Sequence, residues 1–275
     1  MNCLSQDPGA NSRNVAPARA LLLACFFGSL CLSGFLTACD RPSRPGSQSS
    51  VGVSANHTKS ANPRYELPQT DQRLCTAVAL LIDTSGSMSQ TVPDRSGARQ
   101  PKHVIARNAL ERIVDYTERW RQEHSDRTLQ LGIYRFSSSP AEILPMADFD
   151  AEQSRKAIAY IPQPAGGTAI GQAIETGFKA LYASGCVRKY VVCVTDGKNT
   201  SGPQPQHVAR ALYEQTGGEV EIHFVAFDTS ASAFAFLKDV NGFAVEAADG
   251  AQLDARLADI YEKRILAEAL SVEEP

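Results

Sequence analysis

The run Thr76-Ala77-Val78-Ala79-Leu80-Leu81-Ile82 is apolar at nearly every position and ends abruptly at Asp83-Thr84-Ser85-Gly86-Ser87. A short apolar run of this kind suits a strand covered on both faces, as in a parallel sheet packed between helices. One carboxylate and two hydroxyls therefore leave the strand together at its carboxyl end. In open α/β sheets that edge is where ligands bind, and Asp83, Ser85 and Ser87 at alternate positions are hard oxygen donors of the kind Mg²⁺ accepts.

Two later segments offer the same chemistry. Gly166-Gly167-Thr168 presents a hydroxyl on a glycine turn just before a helix-like stretch (169–183), and Val191-Val192-Cys193-Val194-Thr195-Asp196-Gly197 presents a second carboxylate after a second buried strand. Taken singly, Ser85, Ser87 and Thr168 read as helix caps and Asp196-Gly197 as a turn. Taken in order, Asp-x-Ser-x-Ser, then Thr, then Asp resembles the metal-ion-dependent adhesion site of the von Willebrand factor type A domain. All five positions, Asp83, Ser85, Ser87, Thr168 and Asp196, are filled without substitution. The resemblance spans residues 74–270, and three ordered motifs are far more specific than any one of them.

Strand and helix patterns alternate along the same span. Residues 88–101 are polar and hold Pro93, Gly97 and Pro101, which predicts a loop beside the metal. Helical spacing follows over 104–120, a strand over 129–136, a short edge strand over 143–146 and a helix over 151–160 stopped by Pro162 and Pro164. Beyond the 169–183 helix come a strand (190–195), a helix (208–215), a strand (220–227), a short helix (234–240), a last strand (243–246) and a closing helix (252–270). This alternation predicts an α/β fold with a doubly wound, mostly parallel, six-stranded sheet and helices on both faces. The resemblance adds the strand order 3-2-1-4-5-6, which makes the strands ending at Asp83 and Asp196 neighbours. Arg135, amid apolar residues in the second strand of that order, leaves open a pairing with an acid at the sheet face for which the sequence names no partner, whereas His103, His124, His207 and His223 lack metal-ligand spacing and read as surface or packing residues. Asp228 also ends a strand on the metal rim, but the family pattern gives it no role, and it reads as a loop residue.

With that strand order, Cys75 and Cys186 both fall near the sheet's amino end, eight and ten residues before Asp83 and Asp196, and are expected to form a disulfide. Cys193 sits about 16 Å further along at roughly 3.3 Å per residue, too far to bridge to Cys75. It is then expected to be a small buried apolar residue.

Outside the domain, residues 1–38 read as a lipoprotein signal peptide. Arg13 and Arg19 precede an apolar run (21–36), and Leu36-Thr37-Ala38-Cys39 resembles the bacterial lipobox, with Cys39 the lipidated first residue of the mature protein. The competing reading is an uncleaved anchor, since the run is almost long enough to span a bilayer. Residues 39–73, rich in Ser, Pro, Asn and Gly, read as a lipid-anchored disordered linker, and 271–275 as a tail. The net charge of −3 includes +1 from Asp7, Arg13 and Arg19, leaving −4 for the rest. A mildly acidic body argues against a nucleic-acid partner.

The resemblance implies a function. Hydroxyl donors such as Ser85, Ser87 and Thr168 are uncharged, so a bound Mg²⁺ (or Mn²⁺ or Ca²⁺) stays electron-poor and accepts an Asp or Glu of a protein partner. The expected protein is a metal-dependent binding module tethered to the membrane of a bacterial cell envelope, on its exported side. A structural scaffold subunit is the alternative. A metal-dependent phosphohydrolase is a distant third: phosphoaspartate phosphatases carry Asp-x-Asp-x-Thr, Ser85 here replaces the general acid, and no Gly-x-Ser-x-Gly elbow or Walker loop occurs. No enzyme activity is expected.

Overall fold

In the computed structural model, which describes residues 63–270, the apolar run forms the middle of β1 (Arg73–Asp83), a central strand of a six-stranded sheet. β1 is flanked by β4 (Leu129–Phe136) and β6 (Cys186–Thr195), both parallel to it. The sheet continues through β7 (Val220–Phe227) and β8 (Gly242–Ala247) on one side and ends at antiparallel β5 (Pro140–Asp148) on the other. Numbered among themselves, these six strands lie in the order 3-2-1-4-5-6. The leader, Cys39, the first part of the linker (39–62) and the tail lie outside the described residues. Among the described residues no helix is long and apolar enough to cross a membrane.

Strand periodicity divides the core in two. Val78, Leu80 and Ile82 point to one side, where α1 (Lys102–Glu123), α2 (Ala151–Ala159) and α5 (Gly250–Ile260) lay down Ile105, Leu110, Ile113, Ile158, Leu253 and Leu257. Ala77, Ala79 and Leu81 point to the other, against Ile170, Ile174 and Phe178 of α3 (Ile170–Ser184) and Val208 and Leu212 of α4 (Pro205–Thr216). Leu80 and Leu81 are wholly inaccessible to solvent, and each such side chain stabilises the fold by about 1.5–3 kcal/mol.

Local chemistry sets the helix ends. Asp150 and Asp249 cap α2 and α5 by accepting from the amides of Gln153 and Gln252, and Pro205 opens α4, where a missing N–H costs nothing. α3 stops at Gly185, whose left-handed backbone (φ 71°) turns the chain straight into β6. The Gly185 carbonyl accepts from the Arg73 amide at 2.8 Å, which aligns the starts of β1 and β6. Cys75 and Cys186 are disulfide-bonded there, with Cα atoms 4.8 Å apart. Cys193 is buried as a free thiol, its ionisation pushed well upward by burial and then by the nearby charge of Asp83.

The structure differs from the sequence reading in several places. The polar segment 88–101 is not an open loop: a 3₁₀ turn (Gly86–Ser89) leads into a hairpin of β2 (Thr91–Pro93) and β3 (Arg99–Pro101). Its Asp94 carboxylate accepts from the amides of Ser96 and Ala98, a local device that hydrophobic periodicity does not register. The short helix before β8 is 3₁₀ (Ala231–Asp239), and β5 is more than twice the expected length, with Pro145 tolerated because β5 is an edge. The closing helix passes from α5 through a π-helical turn (Tyr261–Leu266) into α6 (Ala267–Leu270). At the other terminus Tyr65 and Leu67 pack against the α3/α4 core and Tyr65 exchanges two hydrogen bonds with Gln215, so the end of the segment read as linker lies on the domain. Arg135 is half-buried and forms no ion pair among the described residues.

Candidate metal centre

The two aspartates reach one rim because β1 and β6 are hydrogen-bonded neighbours whose ends align, Ile82 lying opposite Val194. Asp83 is completely buried. Its Oδ1 accepts from the Ser85 amide at 2.7 Å and its Oδ2 from the Thr195 hydroxyl at 2.6 Å. Burial raises its carboxyl to about 6; donors at Ser85 and Thr195 oppose that rise, and the charge of Asp196 adds to it.

Ser85 and Ser87 follow on the turn below the strand. Their Oγ atoms lie 3.1 Å apart, and Ser87 donates to Asp196 Oδ1 at 2.7 Å. This couples the first motif to the third across 109 residues of chain. Asp196 itself has no exposed side-chain surface.

Thr168 arrives on a loop laced to the first motif by backbone hydrogen bonds. The Gly86 amide donates to the Gly166 carbonyl at 3.1 Å and the Ala165 amide to the Thr84 carbonyl at 2.9 Å. Gly166 holds φ at 80°, and a Cβ there would also meet the Ser138 hydroxyl at 2.7 Å, so the turn requires glycine. The Thr168 hydroxyl and the Ser87 hydroxyl both flank the Gly197 Cα, at 3.7 and 3.9 Å from where a Cβ would stand. The fold thus gathers Asp83, Ser85, Ser87, Thr168 and Asp196 on one rim. Cys75 and Cys186 lie at the opposite end of the same strands.

Among the described residues no cluster of three or more His, Cys, Asp or Glu forms a metal site. The donor set here is of another kind, two carboxylates and three hydroxyls, which is oxygen-only and suits a hard divalent cation rather than a thiolate- or imidazole-seeking one. The side chains fit such an ion: Asp83, Ser85, Ser87 and Asp196 are held by hydrogen bonds, the Thr168 backbone is fixed by Thr200, and Asp196 turns Oδ1 toward the Ser87 hydroxyl.

Sequence reasoning missed four participants. Lys102, the first residue of α1, is buried and donates to Asp196 Oδ2 at 3.0 Å, Asp228 Oδ2 at 2.8 Å and Gln90 Oε1 at 3.1 Å. Burial alone would lower its ionisation, but the bonds to Asp228 and Asp196 outweigh that and hold it above the usual lysine value. A lysine at the start of an amphipathic helix reads as solvated, so periodicity gives no hint of this. Asp228, read as a loop residue, is the second carboxylate on that ammonium. Asn199 and Thr200 brace the Thr168 loop: Thr200 Oγ1 accepts from the Thr168 amide, and Asn199 Oδ1 caps α3 through Ile170 N, both at 2.8 Å. Of the histidines, His103 bonds the Met88 carbonyl, His124 stacks on Trp120, and His223 is buried between Tyr190 and Phe243.

Comparison with known proteins identifies the family and the fold. The family model for the von Willebrand factor type A domain matches residues 77–256. Among solved structures, the PilB minor pilin from Streptococcus sanguinis superposes with a TM-score of 0.60 at 14% identity, over 76% of this chain and 65% of its own length. BatB from Bacteroides thetaiotaomicron gives 0.53 at 17%, over 70% and 99%. Proximal thread matrix protein 1 from the mussel byssus, with a zinc-occupied metal-ion-dependent adhesion motif, gives 0.52 at 19%, over 72% and 47%. A comparison with curated proteins returns no match. At these identities the structural likeness establishes fold.

Proposed function

Because the chain belongs to the von Willebrand factor type A domain family, we propose that it is a metal-dependent protein-binding module that takes a carboxylate of its partner on a divalent cation. Domains of this family are in general interaction modules rather than enzymes, and they bind a divalent metal. The observation that carries the finer reading is the gathering of Asp83, Ser85, Ser87, Thr168 and Asp196 on one rim, with three of the five donors uncharged. Such donors leave a bound Mg²⁺, or Mn²⁺ or Ca²⁺ in its place, positive enough to accept an Asp or Glu from outside.

The chain's own residues supply orientation. Thr195 and the Ser85 amide fix Asp83, while Ser87 and Lys102 fix the two oxygens of Asp196. Upstream, the lipobox-like Leu36-Thr37-Ala38-Cys39 supports a lipid anchor in a bacterial envelope. Affinity capture from envelope extracts tests the reading. A partner retained by the unaltered protein, released by EDTA and not retained by Asp83→Ala is the expected result. Capture that ignores both chelator and substitution overturns metal-gated binding and favours the scaffold role.

A further inference from the structure

Lys102 is the charged group that the family pattern leaves without a task. Its ammonium is almost wholly inaccessible, at 2% exposure, yet each of its three donors finds an acceptor, in Asp196, Asp228 and Gln90. Burying a charge in this way is costly unless it is fully paired. The partners come from three separate places: Gln90 before the β2–β3 hairpin, Asp196 at the end of β6 and Asp228 just past β7. Asp228 adopts a left-handed backbone (φ 53°), sparse for a residue other than glycine, and its carboxylate meets Lys102 from that conformation.

The two oxygens of Asp196 consequently differ. Oδ1 faces the serine hydroxyls through Ser87, whereas Oδ2 is occupied by the ammonium. A carboxylate free at both oxygens can close on a cation with both; one whose Oδ2 holds a buried ammonium cannot do so without unpairing that charge. We infer that Lys102, anchored by Asp228 and Gln90, is a positioning residue that reserves Oδ2 of Asp196 and thereby keeps a coordination position and positive charge available for the partner's carboxylate. The inference rests on the proposed metal-dependent function and adds a trade: Lys102 weakens cation binding by its charge and, in exchange, keeps the cation receptive.

The test uses Mn²⁺ alone as probe, with calorimetry for affinity and water-proton relaxation for the number of solvent positions left on the bound ion. Lys102→Met is expected to bind Mn²⁺ roughly tenfold more tightly, the order expected when a unit positive charge is removed from the neighbourhood of a divalent ion. It should also relax water less per bound ion, as Asp196 closes with both oxygens. Lys102→Arg, which keeps the charge, should restore both values toward those of the unaltered protein. Equal or weaker Mn²⁺ binding by a folded Lys102→Met, or unchanged relaxation, overturns the inference while leaving the metal site itself standing. Should Lys102→Met fail to fold, Asp228→Asn decides by relaxation: with the anchor of the ammonium weakened, Asp196 Oδ2 is released and the water relaxation per bound Mn²⁺ should fall, and unchanged or higher relaxation overturns the inference. Absence of Mn²⁺ uptake by the unaltered protein overturns this inference and the proposed function together.

Discussion

At its amino end the β1–β6 pair is closed by the bond between Cys75 and Cys186; at its carboxyl end the same two strands bring Asp83 and Asp196 to one buried rim. The first closure is covalent and, short of a reductant, does not respond to divalent cations. The second gathers like charges and meets them unequally: Asp196 has the Lys102 ammonium, whereas Asp83 is held by a backbone amide and neutral hydroxyls. The same strand pair thus has one end locked by a covalent bond and another whose contribution depends on protons and, in the proposed function, on a cation. That dependence is what a recognition site requires and a structural staple does not.

Opening the amino end should have the largest effect. Replacing both Cys75 and Cys186 by Ala removes a cross-link between residues 111 apart, worth up to about 4–5 kcal/mol in the chain-entropy model. Chemical denaturation should show this loss equally with and without divalent cation; a loss that vanishes when metal is added would mean that the two ends are not independent.

At the carboxyl end the signature is pH. The folded-state value of Asp83, about 6, lies above its ordinary 3.8, so the metal-free folded protein binds this proton more tightly than the unfolded chain. The stability of the metal-free protein therefore falls as pH rises from about 4 to 6, by about 3 kcal/mol from this group, and stays low above that window. Asp83→Asn should remove that slope, raise metal-free stability at pH 7 by a comparable amount and abolish cation uptake. The unaltered protein should likewise lose cation affinity below about pH 6, because the ligand must be deprotonated. Identical metal-free pH profiles for Asp83→Asn and the unaltered protein would remove the claim that Asp83 carries this cost.

Cys193 lies on β6 between the two ends and belongs to neither. Cys193→Ala should cost only about 1 kcal/mol and leave both the pH slope and the cation response unchanged, as thermal unfolding with and without chelator would show.

The sequence disclosed these two ends to different degrees. Strand identities were legible because β1 and β6 bury both faces and so read as unbroken apolar runs, and the ordered motifs indicated which side chains to expect on the rim. The Lys102–Asp228 pairing was not legible, since it joins the start of a helix to the end of β7 and depends on their packing, which periodicity does not encode. The β2–β3 hairpin escaped for a related reason: Asp94 and Gly97 make its turn, but its strands are three residues each and bury only Val92 fully. Short polar elements held by side-chain to backbone bonds leave almost no periodic trace.

In the proposed function Asp83, Ser85, Ser87, Thr168 and Asp196 hold one divalent cation at the carboxyl end of the β1–β6 pair. Calorimetric titration of the chelator-stripped protein with Mg²⁺ and Mn²⁺ at pH 7.5 tests it most directly. One equivalent of cation bound by the unaltered protein and none by Asp83→Ala or Asp196→Ala is the predicted result, with the unfolding midpoint rising only for the unaltered protein as cation is added. No uptake by the unaltered protein, or uptake that survives both substitutions, would contradict it.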